Sequence, residues 1–266
     1  MSGGRERDGF YVGYLPEAPA DVAGFVRRVV AVLLLLAAAV ALALVLAEGP
    51  FGASDFEFGN VRRFEGIVSA DPAPRLQVAR PGRRGGRPRS SSFLLVRPGK
   101  HGARDLAGAH DGQHVSLSGT LVYRGGRTMI EVLPETLGTG GTASDTMRLD
   151  PPASGARDVG TFTLAGEIVD SKCFLGVMNP GNLKTHRACA TRCISGGIPP
   201  LFLVRDRHGL AVELLLVDRG GRAVGERVLD MVAEPLRVTG RVVRHDDLLV
   251  LMADPADFSR IEDAGR

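Results

Sequence analysis

The longest apolar stretch of the chain lies near its amino terminus, where 19 consecutive apolar residues run from Val29 to Ala47. At 1.5 Å per residue a helix of this length spans about 28 Å, close to the hydrocarbon thickness of a bilayer. A core helix of a soluble protein would show a polar face, and this run has none. The pattern predicts a transmembrane helix over residues 29–47, with the lipid bilayer as its partner.

The charges that flank this run predict its orientation. Arg27 and Arg28 precede it, whereas Glu48 and Asp55 follow it. Because positive charge is retained on the cytoplasmic side, we expect residues 1–28 to form a cytoplasmic tail. Everything after the helix would then be extracytoplasmic, in a single-pass protein of the bacterial inner membrane. The alternative is a cleaved signal peptide, which the long leader and long apolar run disfavour.

The rest of the chain carries short alternating apolar runs separated by turn residues, the pattern of β-strands. Three pairs of segments match in the same order, which indicates an internal repeat. The matched pairs are 64–68 with 164–169, 93–97 with 201–205, and 115–122 with 236–243. We therefore predict a first unit over 60–137, a linker over 138–159, a second unit over 160–255 and a tail over 256–266.

Each predicted unit has about five strands and one short helix before its last hairpin. The helix is expected over Asp105–Ala109 in the first unit and over Arg222–Ala233 in the second. Glycines inside the predicted strands, at Gly66 and Gly166 for example, mark points where strands bend or bulge. This arrangement resembles the OB-type barrel at the level of topology. The fold class is therefore predicted as mostly β: one transmembrane helix followed by two small OB-like barrels, in a membrane-anchored protein of an uncharacterised family.

Composition bears on the ligands that such barrels bind. The resemblance to OB folds implies oligonucleotide or oligosaccharide binding, but a fold does not establish a function. The net charge is only +3, the chain has no tryptophan, and aromatic residues make up 5%. Few side chains are therefore available to stack on bases. Because the barrels are also expected outside the cytoplasm, we predict no nucleic-acid partner.

The two units are predicted to differ in the loop between their first and second strands. In the first unit this position holds Arg80–Ser90, with five arginines that suit a phosphate headgroup or an acidic partner, or simply an unstructured loop. In the second unit it holds residues 170–198, which contain all three cysteines and two of the three lysines. The concentration of rare residues in this Cys/His loop indicates a chemical role. Three cysteines are too few for a disulfide framework.

The spacing within the Cys/His loop indicates a metal site. A helix from Asn182 to about Ile194 would place His186, Cys189 and Cys193 at i, i+3 and i+7, on one face. Cys173, at the end of the preceding strand, would fold back against that face. Three cysteines and one histidine suit a soft or borderline metal, so zinc or copper is the predicted cofactor.

Two other interpretations of these residues stay open. One is a structural disulfide from Cys173 to Cys189 or Cys193, which would pin the loop in an oxidising compartment. The other is a catalytic pair in which His186 activates a thiolate, although no acidic residue stands at a spacing that would orient the histidine. No Ser-His-Asp or paired-carboxylate pattern stands out, so the sequence does not indicate an enzyme.

Two functional hypotheses follow. The first is an extracytoplasmic accessory or assembly subunit of a membrane redox system, whose Cys/His loop holds a metal or redox-active thiols. Its partner would be a membrane protein complex. The alternative is a non-enzymatic envelope interaction module whose loop is stapled by a disulfide.

Overall fold

The computed structural model describes residues 18–47, 54–80, 89–139, 156–206, 210–245 and 247–261. The chain divides into a first unit, 1–51, and a second, 52–266. The first contains helix α1 (Ala20–Ala47). Within it the stretch Val22–Leu46 reaches a mean hydropathy of 3.2 and buries nothing. The predicted apolar helix is thus confirmed, with an earlier start; it has the length and composition that membrane spans and signal sequences share.

The second unit begins with a five-stranded barrel. Its elements in chain order are β1 (Ser54–Phe56), β2 (Arg62–Ser69), β3 (Arg75–Arg80), β4 (Arg89–Arg97), β5 (His101–Gly102), α2 (Arg104–Gly108), β6 (His114–Arg124), β7 (Arg127–Val132) and β8 (Gly138–Thr139). Strand β2 pairs with β3 and with β6, and β3 pairs with β4. Strand β7 closes the barrel, since it runs parallel to β4 and antiparallel to β6. The five strands of the barrel are therefore β2, β3, β4, β6 and β7.

A second barrel with the same pairing scheme follows. Its elements are β9 (Arg157–Asp170), α3 (Arg187–Ser195), β10 (Pro200–Arg205), β11 (Ala211–Val217), β12 (Leu236–His245), β13 (Leu248–Met252) and β14 (Ser259–Arg260). Strand β9 pairs with β10 and β12, β10 pairs with β11, and β13 joins β11 to β12. The fold class is confirmed: an apolar helix, then two five-stranded OB-like barrels, the second with a helical Cys/His loop.

The predicted helices lie between the third and fourth strands of each barrel. In the first barrel this is α2, and in the second it is a 3-10 helix, Gly225–Met231. One predicted match was wrong. Segment 93–97 belongs to β4, the third strand of its barrel, whereas 201–205 belongs to β10, the second. The two strands share an apolar pattern because both are buried on two faces, and pattern alone does not distinguish their places in the barrel.

The same correction moves the arginine-rich segment Arg80–Ser90. It joins β3 to β4, the second and third strands, and is not the counterpart of the Cys/His loop, which joins β9 to β10. Residues 81–88 of this segment lie outside the described residues, as does most of the predicted linker.

Three apolar cores hold the second unit together. One fills the first barrel, one fills the second, and the third contains side chains from both barrels. Neighbouring residues of a strand point to different cores: Phe93 and Leu95 into the first barrel, Leu94 and Val96 into the shared core. In the second barrel Phe202 points inward, and its two neighbours point to the shared core. Period-2 alternation therefore disappears where both faces of a strand are covered.

Glycines occupy the points where paired strands approach most closely. A Cβ at Gly66 would overlap the carbonyl oxygen of Gln77 on β3, and one at Gly166 would overlap that of Leu203 on β10. Gly119 and Gly240 stand in the same relation to β7 and β13. These four strand glycines thus allow close backbone approach at equivalent places in the two barrels.

We expect Gly166→Ala to lower the free energy of unfolding by about 1–3 kcal/mol, because the new methyl group must push β9 and β10 apart. Denaturant titration of the purified chain measures this. Gly108→Ala is the matched control, since a Cβ there meets nothing and alanine favours the helix. Equal stability of the Gly166→Ala variant and the unsubstituted chain would contradict the close approach.

Candidate metal site

Asp170, the last residue of β9, sets the geometry of the Cys/His loop. Its side chain is fully buried, and its Oδ1 accepts a hydrogen bond of 2.8 Å from the backbone N–H of Cys173. The carboxylate thereby caps a wide, π-helical turn, Cys173–Val177. Gly181 packs directly on this turn, where a Cβ would crowd the backbone of Cys173. Cys173 is consequently held in one place, buried at the start of the turn.

The helix that follows starts later than predicted. Leu183 has a φ of 65°, so the chain turns sharply there, and its N–H donates to Glu167 Oε2 at 2.8 Å. A 3-10 turn, Lys184–His186, comes next, and α3 begins only at Arg187. Asn182 therefore does not cap the helix; its side-chain amide donates to Glu167 at 3.4 Å.

The structure places the four predicted ligands in two overlapping groups that share Cys173. Cys173 Sγ lies 3.9 Å from Cys189 Sγ and 4.0 Å from Cys193 Sγ. Ligand atoms of Cys173, Cys189 and His186 lie within 4.8 Å of one another. Cys173 and Cys193 form a second such group with Asp170. Cys173, Cys193 and His186 are buried and Cys189 is partly exposed, so the cluster is able to hold a metal ion.

The structural disulfide offered as an alternative is not supported. All three cysteines are free, and the sulphur separations are about twice the S–S bond length of about 2.05 Å. The loop is instead held by the buried carboxylate, by close glycine contacts and by apolar packing of Phe174 and Leu175 in the shared core.

Asp170 also supplies the acidic partner that sequence reasoning did not find. Its Oδ2 lies 3.1 Å from Nε2 of His186, and both side chains are buried. Asp170 ends strand β9 and His186 directly precedes helix α3, 16 positions later. Helical spacing therefore does not relate them. The available signal was an aspartate that follows two buried apolar residues at the end of a strand, Ile168–Val169–Asp170.

A second residue that the sequence did not reveal comes from the first barrel. Lys100 Nζ lies 2.8 Å from Cys189 Sγ and 3.5 Å from Cys193 Sγ. The hydrogen bond to Cys189 raises the pKa of Lys100. Hydrogen bonding from Cys173 lowers the pKa of Cys193 to about 7, with a further contribution from Lys100 and against the effect of burial. The same sulphur contact, and burial, raise the pKa of Cys173.

Lys172, next to the first cysteine, fastens the loop to the first barrel. Its buried ammonium group donates to the carbonyl oxygens of Arg97 and Gly99, at 3.0 and 2.7 Å, and forms an ion pair with Glu131. All three of its N–H groups therefore have partners, which a buried lysine requires. The turn that carries Lys100 is thus anchored to the turn that carries Cys173.

Comparison with models of protein families and with curated protein sequences gave no match. Among solved structures, the chain is similar to a crystal structure of a deletion mutant of the single-stranded DNA-binding protein from Thermus aquaticus. The two are 13% identical, the match covers 82% of this chain and 93% of that chain, and the TM-score is 0.23. A likeness this low carries no argument about function, and the OB-like fold rests on the strand pairings themselves.

Proposed function

We propose that the Cys/His cluster binds one thiophilic metal ion, zinc or Cu(I), through Cys173, Cys189, Cys193 and His186. The observation that carries the proposal is the spacing of the sulphur atoms, 3.9 and 4.0 Å. Two thiolates bound to one zinc ion at about 2.3 Å in tetrahedral geometry lie about 3.8 Å apart. Cys173 Sγ therefore lies at the separation expected of two ligands of one metal ion from each of the other two sulphurs.

The contact between His186 and Asp170 supports the fourth ligand. Metal-binding histidines commonly donate their second ring N–H to a carboxylate, which fixes the tautomer and the orientation of the ring. With Nε2 donating to Asp170 Oδ2, the lone pair of Nδ1 is the one available to a metal. Asp170 is in this proposal a positioning residue, and its other oxygen already holds the Cys173 turn.

A set of four protein ligands favours a structural metal ion over a catalytic one. Catalytic zinc keeps a coordination position for water or substrate, whereas structural sites fill all four positions. Cys189 gives the site one partly exposed edge. The proposed role is therefore non-enzymatic: the loop holds an ion and presents it on one side.

A redox-active thiol pair is the second candidate, and one observation favours it. The pKa of Cys193 is lowered to about 7, and its Sγ lies 3.5 Å from the ammonium group of Lys100, a neighbour that favours the thiolate form. The measurement of metal content described below separates the two candidates, since a thiol pair needs no ion.

For the whole protein we propose an extracytoplasmic accessory or assembly subunit of a membrane redox system, with a membrane protein complex as its partner. The apolar helix supports membrane anchoring, and the arginines before it support a cytoplasmic amino terminus. A cluster that holds a soft metal supports the redox or assembly role. The alternative, a non-enzymatic envelope interaction module, is also compatible with the paired barrels. The disulfide expected to fix its loop is not supported.

We expect the full chain, purified under reducing and anaerobic conditions, to contain about one equivalent of zinc or copper by mass spectrometry of its metals. Cys193→Ser should lower that content at least about tenfold, because it removes a buried ligand. Ser195→Ala, on the same helix and with an exposed side chain, is the control and should keep its metal. A chain that contains no zinc, copper or iron would contradict the metal proposal and leave the thiol pair.

Alkaline phosphatase fused after Arg266 should be active in intact bacterial cells, because the proposed orientation exports the carboxyl-terminal side of the helix. The matching green fluorescent protein fusion should be dark.

The mass of the membrane-extracted chain tests anchoring, since an anchor keeps residues 1–47 and a cleaved signal loses them. An inactive phosphatase fusion would overturn the proposed orientation.

A further inference from the structure

We propose that Lys100 is part of the metal site, as the cation that neutralises its thiolates, so that the site is complete only while the first barrel is docked on the second. This inference rests on the proposed metal-binding function. None of the four proposed ligands lies in the first barrel, and Lys100 is the residue that joins that barrel to the sulphur atoms.

The first support is the contact itself. Lys100 Nζ reaches two of the three sulphurs, at 2.8 and 3.5 Å. Metal-bound thiolates keep lone pairs that accept N–H hydrogen bonds, so the contact is compatible with an occupied site. Charged hydrogen bonds are about twice as strong as neutral ones, and partners of this kind tune the donor strength of the sulphur.

The second support is the charge of the cluster. Three thiolates and a divalent ion leave one net negative charge, and the buried carboxylate of Asp170 adds another. Lys100 compensates one of the two. Lys172, a further nearby cation, is already paired with Glu131 and two carbonyl oxygens. Without Lys100 the metal-bound cluster would hold two uncompensated charges in a mostly buried place, which is unfavourable.

The third support is how firmly the turn that carries Lys100 is placed. The backbone N–H of Gly102 donates to the carbonyl oxygen of Gly196 at 2.8 Å. A Cβ at Gly196 would overlap the carbonyl oxygen of Lys100, so the two turns touch through their backbones. Lys172 holds the same turn from the other side, at Arg97 and Gly99. The contact between the barrels therefore fixes the turn from which the ammonium group of Lys100 reaches the sulphurs.

The test compares the affinities of Lys100→Gln, Lys100→Arg and the unsubstituted chain for Zn²⁺, in competition with a chromophoric chelator. We expect Lys100→Gln to weaken Zn²⁺ binding about 10- to 100-fold, as loss of an outer-shell partner commonly does. Lys100→Arg keeps the charge and should recover part of the affinity. Lys184→Gln is the matched control, because this lysine is exposed and its ammonium lies 4.0 Å from Glu234, away from the cluster.

Gly196→Ala supplies an independent variant that leaves Lys100 and all four ligands in the chain. Its methyl group would displace the Lys100 turn, so affinity should fall by a similar factor. Combined with Lys100→Gln it should add little, since both changes remove the same contact. Cobalt(II) loading gives a second readout, because the sulphur-to-cobalt absorption should shift in Lys100→Gln and not in Lys184→Gln.

The two levels of the proposal fail in different ways. Unchanged Zn²⁺ affinity in Lys100→Gln, with binding by the unsubstituted chain, would overturn the role of Lys100 and leave the metal site standing. Absence of Zn²⁺ binding by the unsubstituted chain would overturn the metal site, and the role of Lys100 with it.

Discussion

The apolar core shared by the two barrels is the contact on which the rest of the second unit depends. Leu94 and Val96 of the first barrel enter it from one side, and Leu201 and Leu203 of the second from the other. Burial of apolar area at about 25 cal/mol per Å² is the main favourable term in such a contact. Because the Cys/His loop contributes Phe174 and Leu175 to this core, docking the barrels also places the loop.

Two polar groups at the docking contact, the ammonium of Lys172 and the backbone N–H of Ser92, have partners on the opposite barrel. Lys172 of the loop finds three acceptors in the first barrel, and Asp247 of the second barrel accepts the backbone N–H of Ser92 at 3.0 Å. A buried charge without such partners would cost several kcal/mol. The buried ammonium of Lys172 therefore adds specificity to an apolar contact that, by itself, would tolerate many registers. The same matching brings Lys100 to the sulphur atoms.

The sequence was sufficient for the local features of this protein and insufficient for the long-range ones. The apolar helix, the two barrels and the place of Cys189 and Cys193 on one short helix follow from spacing within short segments. The place of β4 in its barrel did not follow from the sequence. A strand that is buried on both faces loses the alternation that would have identified its partners. Asp170 was also missed, since strand-to-helix contacts over 16 residues have no sequence period.

Lys100 is a sharper case of the same limit. Its partners lie 89 and 93 positions away, and only the docking of one barrel on the other brings them together. The chain has few lysines, and two of them, the exposed Lys100 and the buried Lys172, both contact the loop or hold it in place. The concentration of rare cysteines and lysines in residues 170–198 indicated the right part of the chain. The contact with Lys100 could be found only from the fold.

X-ray absorption at the metal edge of the metal-loaded chain tests the central claim most directly, because it counts ligand atoms by element and distance. We predict three sulphur atoms at about 2.3 Å and one nitrogen at about 2.0–2.1 Å from zinc. Asp170 would then remain outside the first coordination sphere, on its hydrogen bond to His186. A coordination shell of oxygen and nitrogen alone, or one with fewer than three sulphurs, would contradict it.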